Sequence, residues 1–268
     1  MSDARVHVTV WNDSTDADAV ANRRVVMVHG TMTWGEECFA QQRPLADEFE
    51  LAVMDRRGFG DSPDTERSDW EADAEDVIDL LGTGAHLVGH SYGGVVAMAA
   101  AALRPDAIRS LVLIEPAALR VAEEVPVVRA GLDRNREMFR DGSPLRGMSA
   151  EEYLRSAADL GMPVPEITPR RLRATRTAMA ERPCWEALIP LAPLAAAPWP
   201  KAVITGAWDQ ADPEYRRTAG DALMACGGFI AARIGARLVR VPGTDHLPHQ
   251  DRPEVVNPVL REVWRARG

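Results

Sequence analysis

The segment Gly89-His90-Ser91-Tyr92-Gly93-Gly94 combines the residue types from which a nucleophilic site can be built. It follows a short run at residues 86–88 that is predicted to be a strand, and it precedes an alanine-rich helical run at residues 95–103. A tight turn between a strand and a helix exposes the hydroxyl group of its serine, and glycines on both sides leave room for the strained backbone. The spacing indicates that Ser91 is a nucleophile, although a plain glycine-rich connection has the same pattern.

A serine hydroxyl needs partners before it can attack a carbonyl group. A general base, most often histidine, must take its proton, and a carboxylate must orient that histidine and stabilise its charged form. Side chains at the carboxyl ends of parallel strands can meet at one edge of a sheet even when they are far apart in sequence. The arrangement of the strands therefore decides which residues can join Ser91.

Short β-branched runs recur along the chain, each closed by glycine, proline or aspartate and followed by a helix-like stretch. This alternation is typical of an α/β fold, with a mostly parallel central sheet flanked by helices. Four of the runs are nearly all apolar, as strands buried on both faces require. We expect about seven or eight strands, with candidates at residues 6–10, 25–28, 51–54, 86–88, 111–114, 202–205 and 238–241.

The helices have recognisable start signals. Ser68 with Glu71 predicts a capping box for a helix that ends at Gly82. Ser149 with Glu152 predicts a second capping box, and Thr168 followed by proline predicts a third helix start.

Between residues 116 and 200 the strand pattern disappears, and it resumes at residue 202. An insertion that interrupts a sheet in this way should cover it as a cap. The predicted organisation is a core domain of residues 1–115 and 201–268, with a helical cap insertion at residues 116–200.

Several separated segments, taken in order, resemble motifs of the α/β-hydrolase superfamily. The segment around Ser91 is similar to the nucleophile elbow of that family. The resemblance extends over roughly residues 24 to 265, and the cap matches only in position and helical character. The other matching segments are His29-Gly30-Thr31, the turn at residues 55–62, Gly206-Ala207-Trp208-Asp209 and Gly243-Thr244-Asp245-His246.

The resemblance implies a catalytic triad in the order serine, acid, histidine. It assigns Ser91 as the nucleophile, His246 as the general base and Asp209 as the acid. His249 is the alternative base. Two other carboxylates compete with Asp209: Asp212, which suits a helix N-terminus, and Glu115, which follows the predicted strand at residues 111–114.

The resemblance also implies an oxyanion hole made by the backbone N–H groups of Thr31 and Tyr92, with Met32 as the alternative to Thr31. We expect His29 to bond to nearby backbone and shape this loop, and we expect no proton-transfer role for His90.

Two further patterns concern the loop and the cap. In the turn at residues 55–62, Asp55 and Arg57 are predicted to satisfy buried loop groups. The basic run at residues 170–176 could attract an anionic substrate, but a solvated helix face is the favoured interpretation. Four tryptophans could line an acyl pocket or simply pack: Trp34, Trp185, Trp199 and Trp208.

Composition limits the partners. The chain carries 31 Lys and Arg residues against 40 Asp and Glu, a formal net charge of −9, so its field disfavours nucleic acid and anionic lipid surfaces. The three cysteines, Cys38, Cys184 and Cys226, have no metal-binding or disulfide spacing and are expected to be buried. No pattern for an export signal, a membrane span, a metal or a nucleotide cofactor is recognised. We expect a cytoplasmic protein without cofactor or metal.

The predicted function is that of a serine hydrolase. Its substrate would be a small or medium carboxylic ester, lactone or thioester, cleaved through an acyl-enzyme. The same fold and triad also resemble acyltransferases, lyases, and peroxidases or oxygenases that need no cofactor. A ligand receptor that retains the triad is a third possibility. The expected partner in each case is a small molecule, for the hydrolase an acyl substrate.

Overall fold

The computed structural model describes residues 5–12, 23–140, 147–156 and 164–266. Within them one seven-stranded sheet has the order β1-β3-β2-β4-β5-β6-β7. β1 is antiparallel to β3, and the other neighbours are parallel. The predicted α/β class is therefore confirmed. The strands are β1 (Val8–Trp11), β2 (Arg24–Val28), β3 (Glu50–Met54), β4 (Ala85–His90), β5 (Ile108–Ile114), β6 (Lys201–Gly206) and β7 (Arg237–Val241).

The central strands form because their side chains are apolar on both faces. Val25, Val26, Leu111 and Val112 are completely buried, as parallel strands covered by helices on both sides require. Because β2, β4, β5 and β6 are adjacent and parallel, their carboxyl ends lie along the same edge of the sheet. The loops that leave this edge carry Ser91 and its candidate partners.

The described helices cover both faces of this sheet, and none of them is long and apolar enough to cross a membrane. Their bounds are α1 (Gly35–Cys38), α2 (Trp70–Leu81), α3 (Tyr92–Leu103), α4 (Pro126–Met138), α5 (Ala150–Arg155), α6 (Pro169–Met179), α7 (Leu191–Ala196), α8 (Pro213–Tyr215), α9 (Asp221–Ile234), α10 (Pro248–Asp251) and α11 (Pro253–Arg265).

Two of the three predicted helix starts are confirmed. Ser149 forms a complete capping box with Glu152, and the Thr168 side chain accepts a hydrogen bond from the N–H of Arg171. The start of α2 was predicted one residue too early. Its N-cap is Asp69, whose carboxylate accepts from Glu71 N at 2.9 Å, because the Ser68 hydroxyl is bound instead by a buried arginine of the loop after β3.

The segment between β5 and β6 contains α4 to α7 and short 3₁₀ turns, with no strand among its described residues. Its helical character agrees with the expectation of a cap. The exact division at residues 116 and 200 stays a prediction.

The arginines of α6 attach this segment to the core. Arg171 Nη1 donates to the carbonyl oxygen of Met32 at 2.6 Å, and Arg173 donates to the carbonyl oxygens of Gly60 and Ser62 at 2.6 and 2.7 Å. The favoured interpretation, a solvated helix face, does not describe Arg171 and Arg173, whereas attraction of an anionic substrate stays a prediction. They lie against loops that follow β2 and β3, where they satisfy backbone oxygens.

The packing of α3 against β2 leads to a test of the elbow. A Cβ atom on Gly93 would lie 2.1 Å from the carbonyl oxygen of Val28, whereas one on Gly228 of α9 would meet its nearest neighbour at 3.9 Å. We expect Gly93→Ala to destabilise the fold by about 2–3 kcal/mol, because a strand backbone cannot move aside. Gly228→Ala should stabilise it by about 0.5–1 kcal/mol through helix propensity. Urea unfolding followed by circular dichroism measures both, and equal midpoints for the two variants would contradict this account of the turn.

Candidate active site

Ser91 occupies a strained turn between β4 and α3. Its φ and ψ angles are 53° and −114°, a left-handed conformation that is costly for a residue with a Cβ atom. The turn is held by two backbone bonds: Ser91 N donates to Ile114 O at 2.9 Å, and Gly94 N donates to Ser91 O at 3.0 Å. The neighbouring strand and the first turn of the helix therefore fix the direction of the serine side chain.

His246 lies beside this serine, in the loop that follows β7. Its Nε2 atom is 2.9 Å from Ser91 Oγ, a normal hydrogen-bond distance. The His246 side chain is 24% exposed, so it can be reached from outside. The structure therefore brings together the predicted nucleophile and the predicted base, 155 residues apart in the chain.

Glu115 lies on the other side of the imidazole. Its carboxylate is completely buried, with Oε2 at 3.4 Å from His246 Nδ1. The second oxygen, Oε1, accepts hydrogen bonds from Gly206 N at 2.6 Å and from the Trp208 indole at 3.3 Å. These donors hold the carboxylate at the carboxyl ends of β5 and β6, with one oxygen facing the histidine.

Asp209 does not occupy the position predicted for the acid. It is exposed, and its Oδ1 accepts a hydrogen bond from Gly243 N at 2.9 Å, which joins the loops after β6 and β7. The expectation that Asp209 orients His246 is therefore wrong, and the alternative Glu115 has the required geometry. Asp212 caps α8 by accepting from Glu214 N and Tyr215 N, as considered from the sequence.

Backbone strain is concentrated in this region. Within the described ranges, the residues other than glycine with positive φ are Met32, Ser91, Glu115 and Trp208. Met32 follows the His-Gly loop, and Trp208 bonds to Glu115. Strained residues cluster where the surrounding structure must hold functional groups in place. Here all four lie at one edge of the sheet.

Comparison with known sequences adds to this geometry. The profile of the alpha/beta hydrolase family matches residues 25–259. The chain belongs to this family. The match contains Ser91, Glu115 and His246, so the geometry described above lies within the shared part of the fold.

Its curated relatives are hydrolases and esterases, which supports hydrolase activity. The chain is 28% identical over 228 residues to 2-(acetamidomethylene)succinate hydrolase of Mesorhizobium japonicum, covering 79% of this chain and 77% of that protein. It is 37% identical over 113 residues to the pimeloyl-[acyl-carrier protein] methyl ester esterase of Neisseria meningitidis, a match that covers only 41% and 42% of the two chains.

Solved structures agree with the fold. A thermophilic esterase from Thermogutta terrifontis is 26% identical, with a TM-score of 0.61 over 96% of this chain and 92% of that one. The structure of Est816, described as an N-acyl homoserine lactone degrading enzyme, has a TM-score of 0.64 over 98% of both chains, at 19% identity. At that identity the second likeness shows the alpha/beta hydrolase fold alone.

The predicted oxyanion groups border the serine. Tyr92 is the first residue of α3, so its N–H has no partner within the helix. Thr31 and Met32 lie on the opposite side and line the same cavities as Ser91. His29 is confirmed as a loop-shaping residue, since its Nδ1 is 2.7 Å from Gly30 O and its Nε2 accepts from Arg56 N at 3.0 Å. The assignment of Thr31 and Tyr92 as donors stays a prediction.

Two cavities meet at Ser91. One of about 290 Å³ is bordered by the segment between β5 and β6, with Phe139, Tyr153, Met179 and Trp185 beside the charged Glu181 and Arg182. The other, of about 340 Å³, includes His246 in its lining. Among the four tryptophans considered from the sequence, only Trp185 lines either cavity. Trp34 lies under the guanidinium groups of α6, Trp199 donates to Pro105 O, and Trp208 binds Glu115.

A buried arginine, Arg56, supports the loop that carries Thr31. Its guanidinium group is fully buried and donates to Gly30 O at 3.0 Å, to Asp73 at 3.0 Å and to Glu181 at 2.6 Å. The Glu181 carboxylate also accepts from the Thr31 hydroxyl. Burial raises the pKa of Asp73 to about 6 and raises that of Glu181, while the Arg56 charge opposes both shifts. This arginine was not recognised from the sequence.

Asp55 and Arg57 flank this arginine in the sequence. Asp55 does satisfy loop groups, since it accepts from Gly35 N at 2.8 Å and from Asp61 N at 2.9 Å. Arg57 forms a bidentate ion pair with Asp76 of α2 at the partly exposed surface, and its predicted role towards buried loop groups stays a prediction.

These adjacent arginines give a matched test. Arg56→Met should destabilise the fold by about 3–5 kcal/mol, because it leaves two buried carboxylates without their cation. Arg57→Met removes a partly exposed pair and should cost about 1 kcal/mol or less. Chemical unfolding at neutral pH measures both. Similar losses of unfolding free energy for the two variants would show that Arg56 does not stabilise the loop that carries Thr31.

Proposed function

We propose that this protein hydrolyses a small or medium carboxylic ester, lactone or thioester through an acyl-enzyme, with Ser91, His246 and Glu115 as its catalytic triad. The observation that carries the proposal is the 2.9 Å contact between His246 Nε2 and Ser91 Oγ, with a buried carboxylate on the far side of the same imidazole. A base within hydrogen-bond reach and a third group that orients it define an activated serine.

The reaction follows from these positions. Ser91 Oγ attacks the carbonyl carbon while His246 Nε2 takes the hydroxyl proton. The negative charge that develops on the carbonyl oxygen is stabilised by the backbone N–H groups of Thr31 and Tyr92. When the intermediate collapses, the bond to the leaving group breaks and His246 returns the proton to it. Water then attacks the acyl-serine while His246 takes its proton. The proton returns to Ser91 Oγ as the carboxylic acid product leaves.

Glu115 has the environment that this role demands. It is held by donors from Gly206 and Trp208 on one oxygen, so the other oxygen stays directed at His246 Nδ1. A carboxylate in this position fixes the tautomer in which Nε2 can accept the serine proton, and it stabilises the imidazolium formed during attack. Because the carboxylate is buried, water does not weaken that interaction.

The cavities limit the substrate class. Volumes of about 290 and 340 Å³ on the two sides of Ser91 suit small or medium substituents. The aromatic side chains in the lining of the first favour an apolar substituent there. The named activities of the relatives, an ester hydrolase and a hydrolase of a succinate derivative, are consistent with a carboxylic acid derivative as substrate.

A labelling experiment tests the nucleophile. A fluorophosphonate probe should modify the wild-type chain at one site per molecule, because the activated oxygen displaces fluoride from phosphorus. Ser91→Ala should remove the label, while Asp209→Asn should retain it. Intact mass and peptide mapping measure the result. Undiminished labelling of Ser91→Ala would refute the assignment.

A second comparison tests the acid. Glu115→Gln should lower kcat/KM for a nitrophenyl ester by about 10²–10⁴-fold, because the amide no longer stabilises the imidazolium. Asp209→Asn should stay close to the wild-type rate, because Asp209 only joins two exposed loops. The reverse order of the two losses would restore Asp209 as the acid.

Product analysis separates hydrolysis from acyl transfer. The ester is supplied with and without a large excess of an alternative alcohol, and the products are separated by chromatography. We expect free carboxylic acid to form in both conditions. Persistent absence of the acid, with acylated alcohol as the product, would instead indicate an acyltransferase.

A further inference from the structure

Next to the triad lies a group of side chains that the proposed reaction does not use. Cys38, His90 and His249 come from the end of α1, the end of β4 and from α10, and all three are buried. Cys38 Sγ is 3.7 Å from His90 Nδ1 and 3.5 Å from His249 Nε2, and the three donor atoms lie within 4.8 Å of one another. Thiol and imidazole groups thus converge on one point.

The distances match a metal geometry. In a tetrahedral zinc site with Zn–S of about 2.3 Å and Zn–N of about 2.0–2.1 Å, the sulfur and nitrogen ligands lie about 3.6 Å apart. The two sulfur to nitrogen distances, 3.5 and 3.7 Å, are within about 0.1 Å of that value. The distances from the sulfur atom to both imidazoles are therefore those of a tetrahedral site, and the two imidazole nitrogens lie within 4.8 Å of each other.

The hydrogen bonding of His90 also fits a ligand. Its Nε2 atom lies 2.9 Å from the carbonyl oxygen of His246, to which it can only donate a proton. The other nitrogen, Nδ1, therefore presents a lone pair towards Cys38. Metal-binding histidines commonly donate their second N–H to a carbonyl oxygen in this way, which fixes the ring.

Binding requires loss of the Cys38 thiol proton. Burial raises the pKa of that thiol to about 12, which opposes the loss, so the proposal depends on the geometry and on the strength of the metal–sulfur bond. A divalent cation would displace the thiol proton, forming the metal–sulfur bond and releasing one proton to water.

We propose that Cys38, His90 and His249 form a binding site for a transition-metal ion, with Zn²⁺ as the favoured occupant. A soft thiolate with two imidazoles suits zinc better than calcium or magnesium, which prefer oxygen ligands. Cys38 and His90 line the same cavity of about 340 Å³ as Ser91 and His246. The fourth position would therefore be open to water or to a donor group of a ligand in that cavity.

The position of the site suggests what bound metal would do. His90 directly precedes Ser91, His249 follows His246 by three residues, and Cys38 ends the helix that follows the Thr31 loop. One ion would tie together the three segments that carry the nucleophile, the base and the predicted oxyanion loop. The site does not depend on the proposed ester hydrolysis and is tested separately from it.

Metal binding is measured on the purified full chain after removal of metals with a chelator and addition of Zn²⁺ or Co²⁺. We expect one ion per chain, a sulfur-to-cobalt charge-transfer band in the Co²⁺ form, and X-ray absorption that fits one sulfur and two imidazole ligands. Bound Zn²⁺ should also raise the melting temperature, because the ion binds the folded state.

The variants use a matched cysteine as control. Cys38→Ser should weaken Zn²⁺ binding by about 100-fold or more and remove the charge-transfer band, since it deletes the thiolate. Cys226→Ser changes an equally buried thiol whose Sγ lies near Pro116 O instead, and it should bind the ion like the wild type.

The opposite results would overturn the proposal. If the wild-type chain takes up no ion above background, or if the bound ion has no sulfur ligand, the group is a buried thiol that donates its one proton to an imidazole. Equal binding by Cys38→Ser and Cys226→Ser would lead to the same conclusion. The wild-type spectra decide the matter even if Cys38→Ser fails to fold.

Discussion

The site depends on one constraint: loops from the carboxyl ends of several strands must bring a carboxylate, an imidazole and a hydroxyl group within contact distance, in that order. Glu115 follows β5, Ser91 follows β4, and His246 lies in the loop after β7. The parallel sheet brings these strand ends to a common edge. Directly after the strands, Ser91 and Glu115 adopt positive φ angles, which are energetically unfavourable for residues with a Cβ atom.

A polar network beside these turns stabilises the loop that carries Gly30 and Thr31. Arg56 is buried between Asp73 of α2 and Glu181, which follows α6, and it also binds the carbonyl oxygen of Gly30. A buried charge is tolerated only when its partners are well placed. The network therefore links the loop of Gly30 and Thr31, helix α2 and the helical segment between β5 and β6 in one set of interactions, and the Arg171 contact with Met32 O adds a second link.

The fold was largely predictable because its signals are local. All seven candidate strands are present, and apolar runs of β-branched residues were sufficient to find them. Ser91 and His246 could also be found, because glycines at fixed spacing mark their turns. The carboxylate beside His246 could not be chosen correctly from the sequence, since Asp209 and Glu115 both follow strands and only the direction of the loop after β6 separates them.

The burial of Arg56 and the grouping of Cys38, His90 and His249 could not be predicted from sequence patterns either. Arg56 and Arg57 are adjacent and chemically identical, so only the path of the turn decides which one is buried. Cys38 is separated from His90 by 52 residues and from His249 by 211, and spacing rules for metal ligands do not reach across such distances. Both cases depend on packing between elements.

The proposed position of the acid has a consequence for how this scaffold can change. In the proposed triad the carboxylate belongs to Glu115, at the end of a buried central strand, so the exposed turn that begins at Asp209 does not orient the histidine. Such a turn can become longer or shorter, or acquire new side chains, with little effect on kcat. A natural or engineered descendant could therefore gain a recognition element at the entrance of the site. In a protein whose acid lies in that turn, the length of the turn would be fixed by the position of the acid.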